Sequence, residues 1–238
     1  MLPLGPSDLL ALWEHGRGRH AIDRALLLFA AACPELPADS LADFPLGQRN
    51  AALLRLRQST FGPEIPAYVD CPACTERMEL ALQLAMFLPS EKEEALADGQ
   101  FEADGFRFRL PTSRDLAAML GHADADSAAA HLLERCCVAR QNDASAPSLH
   151  DLLEKIEARL EALDPSANIE LSVVCASCQH AWAAPFDIAA VLWDEIEARA
   201  RALLAAVHAL ARAYGWSERD VLALSEQRRS AYLDMVTA

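Results

Sequence analysis

Lysine is nearly absent from this chain: Lys92 and Lys155 are the only two, and arginine supplies the remaining positive charge. Thirty-five acidic residues face 21 basic ones, leaving a net charge of −14 and a pI near 4.9. Nucleic-acid phosphates demand clustered cations, so this balance argues against a general grip on DNA or RNA. It equally disfavours adhesion to anionic membrane surfaces. Long apolar runs are missing too. The longest, Ala25 to Cys33, is far too short to cross a bilayer. The opening residues carry neither a positive n-region nor an apolar h-region, so no signal peptide is expected.

Catalytic signatures are also lacking. No G-x-S-x-G, H-E-x-x-H or G-x-x-x-x-G-K-[ST] occurs, and the seven histidines are scattered. Gly16-Arg-Gly18 has no phosphate-binding fingerprint around it and reads as a loop. The sequence therefore predicts a protein that is not an enzyme and takes no small-molecule substrate. Hydrophobic residues, 53% of the chain, suffice for a buried core.

What is present is organised around two cysteine pairs, Cys71-Pro-Ala-Cys74 and Cys175-Ala-Ser-Cys178. Each lies between alternating stretches, Ile65 to Asp70 with Arg77 to Leu82, and Asn168 to Val174 with His180 to Phe186. Met78, Leu80 and Leu82 alternate with Glu79 and Ala81, a strand period. Two hairpin turns of this kind supply the four ligands of a closed tetrahedral site, so Cys71, Cys74, Cys175 and Cys178 are expected to hold one structural Zn2+. Thioredoxin-like redox chemistry and disulfides are the competing uses of C-x-x-C. The redox motif follows a strand and opens a helix, whereas here strands follow both pairs. His180 is an alternative fourth ligand. The remaining Cys33, Cys136 and Cys137 read as free thiols in a reducing, cytoplasmic setting.

Along the chain, helices are expected over Leu9 to His15 (capped by Ser7), His20 to Ala32 and Leu46 to Thr60. An acidic surface stretch follows at residues 90–94. Phe101 and Phe106 to Leu110 flank Asp104-Gly105 as a hairpin. Helices are then expected over Ser113 to Leu120, Asp126 to Ala139 and, capped by Ser148, Leu149 to Leu163, with a polar loop at 141–147. From Ile188 to Tyr214 no Gly or Pro interrupts a helix of roughly 40 Å. Its Ala189, Trp193, Ile196, Ala200, Leu203, Val207, Leu210 and Tyr214 form an a/d seam, suited to a core helix or to a partner helix. Ser217 and Asp220 make a capping box, with Trp216 placed to staple onto Val221.

The expected class is α+β and predominantly helical: two zinc-knuckle hairpins, a long C-terminal helix and a short helical pair. Three regions are marked off within one compact unit: helical 1–62, hairpins with intervening elements 63–187, and 188–238. Trp216, Val221, Leu224, Tyr232, Leu233 and Met235 crowd the last helical pair and are candidate partner-binding residues. The repeated order of helices and cysteine hairpin also raises an internal duplication.

Several of these stretches resemble the baseplate hub assembly chaperone and baseplate protein family of contractile-tailed phages and phage-tail-like contractile injection systems. The likeness rests on Phe106-Arg-Phe-Arg-Leu-Pro-Thr-Ser-Arg-Asp-Leu116, on Cys175-x-x-Cys178-x-His-x-Trp182 with Pro185-Phe-Asp-Ile188, and on Leu192-Trp-Asp-Glu-Ile196. Val207 to Asp220, with its Tyr-Gly-Trp-Ser, and Arg228-Arg229 before Tyr232-Leu233 add to it. The resemblance implies a non-enzymatic protein acting in cytoplasmic baseplate assembly through hub or wedge components. A zinc-stabilised adaptor unrelated to phage tails and a zinc-ribbon nucleic-acid binder fit the same acidic, four-thiolate character. Salt-dependent DNA or RNA binding and the neighbouring genes separate the three.

Overall fold

The computed structural model describes residues 2–88, 99–122, 124–140 and 153–237. The acidic stretch at 90–94, the loop at 141–147 and the Ser148 cap lie outside the described residues.

Three helices open the chain: α1 (Pro6–Gly16), α2 (Ala21–Ala32) and α3 (Leu46–Phe61). The first starts earlier than its sequence suggests. Pro6 occupies the first helical turn, where its missing N–H costs nothing, and the Asp8 carboxylate accepts from the Gly5 amide at 2.9 Å. Ser7 is therefore inside the helix and caps nothing. His20 caps α2, its Nδ1 accepting from the Ile22 amide at 3.2 Å.

Strands β1 (Glu64–Asp70) and β2 (Arg77–Gln83) form the first hairpin, with Val69 opposite Met78 and Ala67 opposite Leu80. Strands β3 (Gln100–Ala103), β4 (Phe106–Arg109) and β5 (Cys137–Arg140) form an antiparallel sheet in that order. Helices α4 (Ser113–Met119), α5 (Ala125–Cys136) and α6 (Leu153–Leu163) accompany it. Here the pattern misleads: the helix expected to reach Ala139 stops at Cys136, and the next four residues are a strand. The open edge of β4 accounts for it. Its backbone groups pair with β5, Arg107 opposite Ala139, while Cys136 turns into the core at 1% exposure.

Strands β6 (Ile169–Val174) and β7 (Ala181–Phe186) make the second cysteine hairpin, and α7 (Ile188–Tyr214) follows directly. Asp187 opens α7 by accepting from the amides of Ala189 and Ala190 at 2.8 and 3.2 Å. Gly215, at φ 71°, ends it in the left-handed conformation that a side chain disfavours. Helices α8 (Glu218–Ala223) and α9 (Glu226–Thr237) complete the chain.

Two hydrophobic cores result among the described residues. The larger gathers Leu28, Leu53, Leu54, Leu56, Leu192, Ile196 and Ala200, each fully buried, from α2, α3 and α7. The a/d seam of α7 is thus a core seam, packed against α1, α2 and α3 and, further along, against α8 and α9. The smaller stacks Phe101 on Phe108, centroids 5.5 Å apart, against Leu133, Cys136 and Ile156.

Helix α3 belongs to the larger core and is buried on nearly every side, including Arg49, Asn50 and Arg57. Those polar groups are satisfied across elements, as burial requires. Arg49 Nη1 donates to Ser113 Oγ at 3.0 Å, and Asn50 Nδ2 donates to the Ser166 carbonyl at 2.8 Å. Arg57 donates to both Glu195 oxygens, at 3.0 and 2.7 Å.

Candidate metal centre

Both cysteine turns fold the same way. In the first, the Cys71 amide donates to the Glu76 carbonyl at 2.9 Å, and the Thr75 amide to the Cys71 carbonyl at 2.8 Å. In the second, the Cys175 amide donates to the His180 carbonyl and the Gln179 amide to the Cys175 carbonyl, both at 2.9 Å. Thr75 (φ 61°) and Gln179 (φ 60°), each directly after the second cysteine, take the left-handed conformation that closes the loop. A strand therefore delivers the first cysteine, a five-residue loop returns the chain, and both sulfurs point to the same side.

The two turns meet. Cys71 Sγ lies 3.7 Å from Cys178 Sγ, Cys74 Sγ lies 3.6 Å from Cys175 Sγ, and all four sulfurs fall within 4.8 Å of one another. Thiolates about 2.3 Å from a central metal define a tetrahedron with edges of about 3.8 Å, so the spacing suits a metal ion. Cys71 and Cys175 are buried, at 1% and 0% exposure, whereas Cys74 and Cys178 face solvent. The site is anchored from below and open at its rim. His180 is not in the cluster; its ring stacks on Trp182, 5.9 Å between centroids.

Backbone amides prepare the sulfurs for negative charge. The Cys178 amide, joined by that of Ser177 against the opposing effect of burial, brings the Cys175 thiol down to about 7. At Cys74 the Glu76 amide also lowers the pKa, but hydrogen bonds shared with the Cys178 and Cys175 sulfurs outweigh it and push the thiol up to about 12. Cys178 is raised as well, the His180 amide being outweighed by burial and by the Cys175 and Cys71 sulfurs. Four sulfurs so close cannot all ionise unaided, because each new thiolate repels the last. A cation at the centre replaces the shared protons, which is the chemistry of a metal-thiolate site. The donor set and its spacing fit the group expected from the sequence.

The sequence pointed to the four cysteines; it did not reveal the amides of Glu76, Ser177, Cys178 and His180 that serve them. Their signal was the equal C-x-x-C spacing in two turns. Cys33 and Cys136, outside the cluster, are held as thiols. Burial, reinforced by the Asp115 charge, pushes Cys136 up to about 11, and burial followed by Glu35 raises Cys33.

The six candidate partner-binding residues are dispersed in depth. Val221 is fully buried, Met235 is 67% exposed, and Trp216, Leu224, Tyr232 and Leu233 are half-buried. Trp216 stacks on Tyr214 at 4.8 Å and meets Tyr232 edge-on at 4.9 Å, a triad that clasps α9 to the end of α7.

Geometry thus defines a class: a mostly helical α+β protein in which two distant hairpins converge on a four-cysteine cluster able to hold a metal ion. Residues 9–193 match the family model described as T4 bacteriophage base plate protein, and the chain belongs to that family. The match contains all four clustered cysteines and ends within α7, so Tyr214 to Ser217 and the final helical pair lie beyond it. No curated protein and no solved structure matches the chain. No helix among the described residues is long and apolar enough to cross a membrane.

Proposed function

We propose that this protein is a non-enzymatic assembly or structural component of a contractile-tail baseplate, stabilised by one structural Zn2+ on Cys71, Cys74, Cys175 and Cys178. One observation carries the reading: the stretch that matches the baseplate family encloses both cysteine turns and the elements that bring them together. Four thiolates complete a tetrahedral shell and leave no position for a reactive water, so the metal's work is mechanical. It ties the hairpin after α3 to the one before α7.

The partners in this reading are hub or wedge proteins met in the cytoplasm during assembly. The regions 1–62, 63–187 and 188–238 act as one unit, with the helical pair as the docking end. Val221 anchors that pair to the core, while Met235 and the accessible edges of Trp216, Leu224, Tyr232 and Leu233 offer apolar surface. The experiment is affinity purification of the tagged chain from its native host, with co-purifying proteins identified and zinc measured. Enrichment of hub or wedge proteins with one zinc per chain is the expected result. Absence of baseplate proteins sinks the functional reading, and zinc well below one per chain sinks the metal.

A further inference from the structure

In a chain of net charge −14, one cavity has the opposite sign. It lies where residues 4–9, the end of α3, the middle of α7 and the α8–α9 corner meet, and holds about 660 Å³. A smaller hollow of about 140 Å³ adjoins it and shares Arg199, Glu226 and Arg229. Among the described residues, those three are the only charged ones lining either space, two guanidiniums against one carboxylate. Leu4, Leu9, Phe61 and Leu222 supply apolar walls.

Glu226 is committed to Arg199, with which it forms an ion pair. Arg229 is left underserved. It is only 5% exposed, yet among the described residues its guanidinium makes one long hydrogen bond, from Nη1 to the Leu224 carbonyl at 3.4 Å, and no ion pair. A buried cation ordinarily pairs with an anion, because its lost hydration must be replaced. Burial followed by the neighbouring Arg199 charge lowers the pKa of Arg229, with Glu226 only partly opposing.

We infer that Arg229 and Arg199 form a receptor for a carboxylate carrying an apolar tail, supplied by an acidic segment of a protein partner. Charge complementarity selects the anion and the leucine and phenylalanine walls select its apolar neighbours. Arginine is suited to the task, since its planar fork meets a carboxylate with two parallel hydrogen bonds. Only the identity of the partner rests on the baseplate reading; the carboxylate chemistry does not.

The test uses the full chain and two probes, sodium butyrate and the blocked tripeptide N-acetyl-Leu-Glu-Leu-amide. The readout is the arginine Nε–H resonances in NMR. The expected result is a saturable shift of the Arg229 resonance, with half-saturation for butyrate on the order of 1 mM and tighter for the tripeptide. Butyramide, and sodium chloride at matched ionic strength, leave that resonance in place. Arg229→Gln abolishes the accompanying shift of the Arg199 resonance, while Arg228→Gln, one residue away and exposed, retains both shifts. Should Arg229→Gln not fold, Arg199→Gln serves instead and weakens the binding at least tenfold. A response no different from chloride overturns the inference. So does saturation by inorganic phosphate with none by butyrate, which reassigns the cavity to phosphate. Binding of butyrate but not of the tripeptide overturns the partner segment and leaves a small carboxylic acid as ligand.

Discussion

The Asp164 carboxylate, just past the end of α6, accepts a hydrogen bond at 3.0 Å from the amide of Gly47, 117 residues earlier. Helix α3 opens on Pro45, whose side chain can cap nothing, so a distant residue satisfies one of its free amides. Gly47 makes that approach feasible: a Cβ there would lie 1.6 Å from Asp164 Oδ1. Burial raises the Asp164 pKa and the Gly47 amide lowers it, so this hydrogen bond offsets part of the cost of a buried carboxylate.

Gly47→Ala is expected to lower stability by about 2 kcal/mol, through overpacking and loss of the cap together. Asp164→Ala should lose about 1 kcal/mol, and the double variant should be little worse than Asp164→Ala alone, since the obstructed carboxylate is gone. Urea unfolding of the three variants measures this. Simple additivity argues against the contact.

Arg57 and Glu195 make the second long connection, joining α3 to α7. Arg57 is 2% exposed and its other nitrogen, Nη1, donates to the Gly62 carbonyl at 2.6 Å. Glu195→Gln leaves a buried cation without its counter-charge and is expected to cost about 3 kcal/mol. Arg57→Met, which removes the cation and refills its volume, should cost less. The ordering of the two unfolding midpoints tests the pair, and reversal contradicts it.

Acid sensitivity should trace largely to Asp115. Burial alone raises this carboxyl, but Arg109, which donates at 2.6 and 2.9 Å, and the Thr112 hydroxyl and amide, at 2.8 and 2.9 Å, hold it well below the usual carboxylate range. Arg135 Nε adds a third cationic contact at 3.0 Å. A group whose folded pKa is depressed contributes stability above its unfolded value and loses it as pH falls toward the folded one. Wild-type stability is therefore expected to drop below about pH 4. Asp115→Asn should start about 3 kcal/mol lower at neutral pH and decline less on acidification. Parallel curves for the two proteins exclude the assignment.

Metal loss should act on the whole molecule. Cys71→Ser removes a buried ligand and is expected to abolish stoichiometric zinc and lower the unfolding midpoint across all probes at once. Structural zinc is worth on the order of 10 kcal/mol in binding, and this one closes a loop of some hundred residues. Chelation of the wild type should mimic the variant. A C175S protein should likewise lose zinc, without losing disulfide-reductase activity, since the wild type is expected to have none. Robust insulin reduction by the wild type revives a redox role.

Local chemistry wrote much of this protein legibly. The cysteine turns depend on groups within six residues of each other, so their hairpins were readable from C-x-x-C spacing and strand alternation. The boundaries of α2 and α7 and the Ser217–Asp220 box were readable for the same reason: caps are short-range. Tertiary structure alone decided whatever depends on partners far along the chain. An open sheet edge turned Cys137 to Arg140 into β5, against a helical pattern with no signal for it. Burial made Arg49, Arg57 and Arg229 into internal cations, which no local pattern announces. Trp216 stacks on Tyr214 and meets Tyr232 edge-on, and only the folded chain brings the Tyr232 ring within 5 Å of it. Burial and counter-charge are properties of the assembled core, and a linear pattern does not contain them.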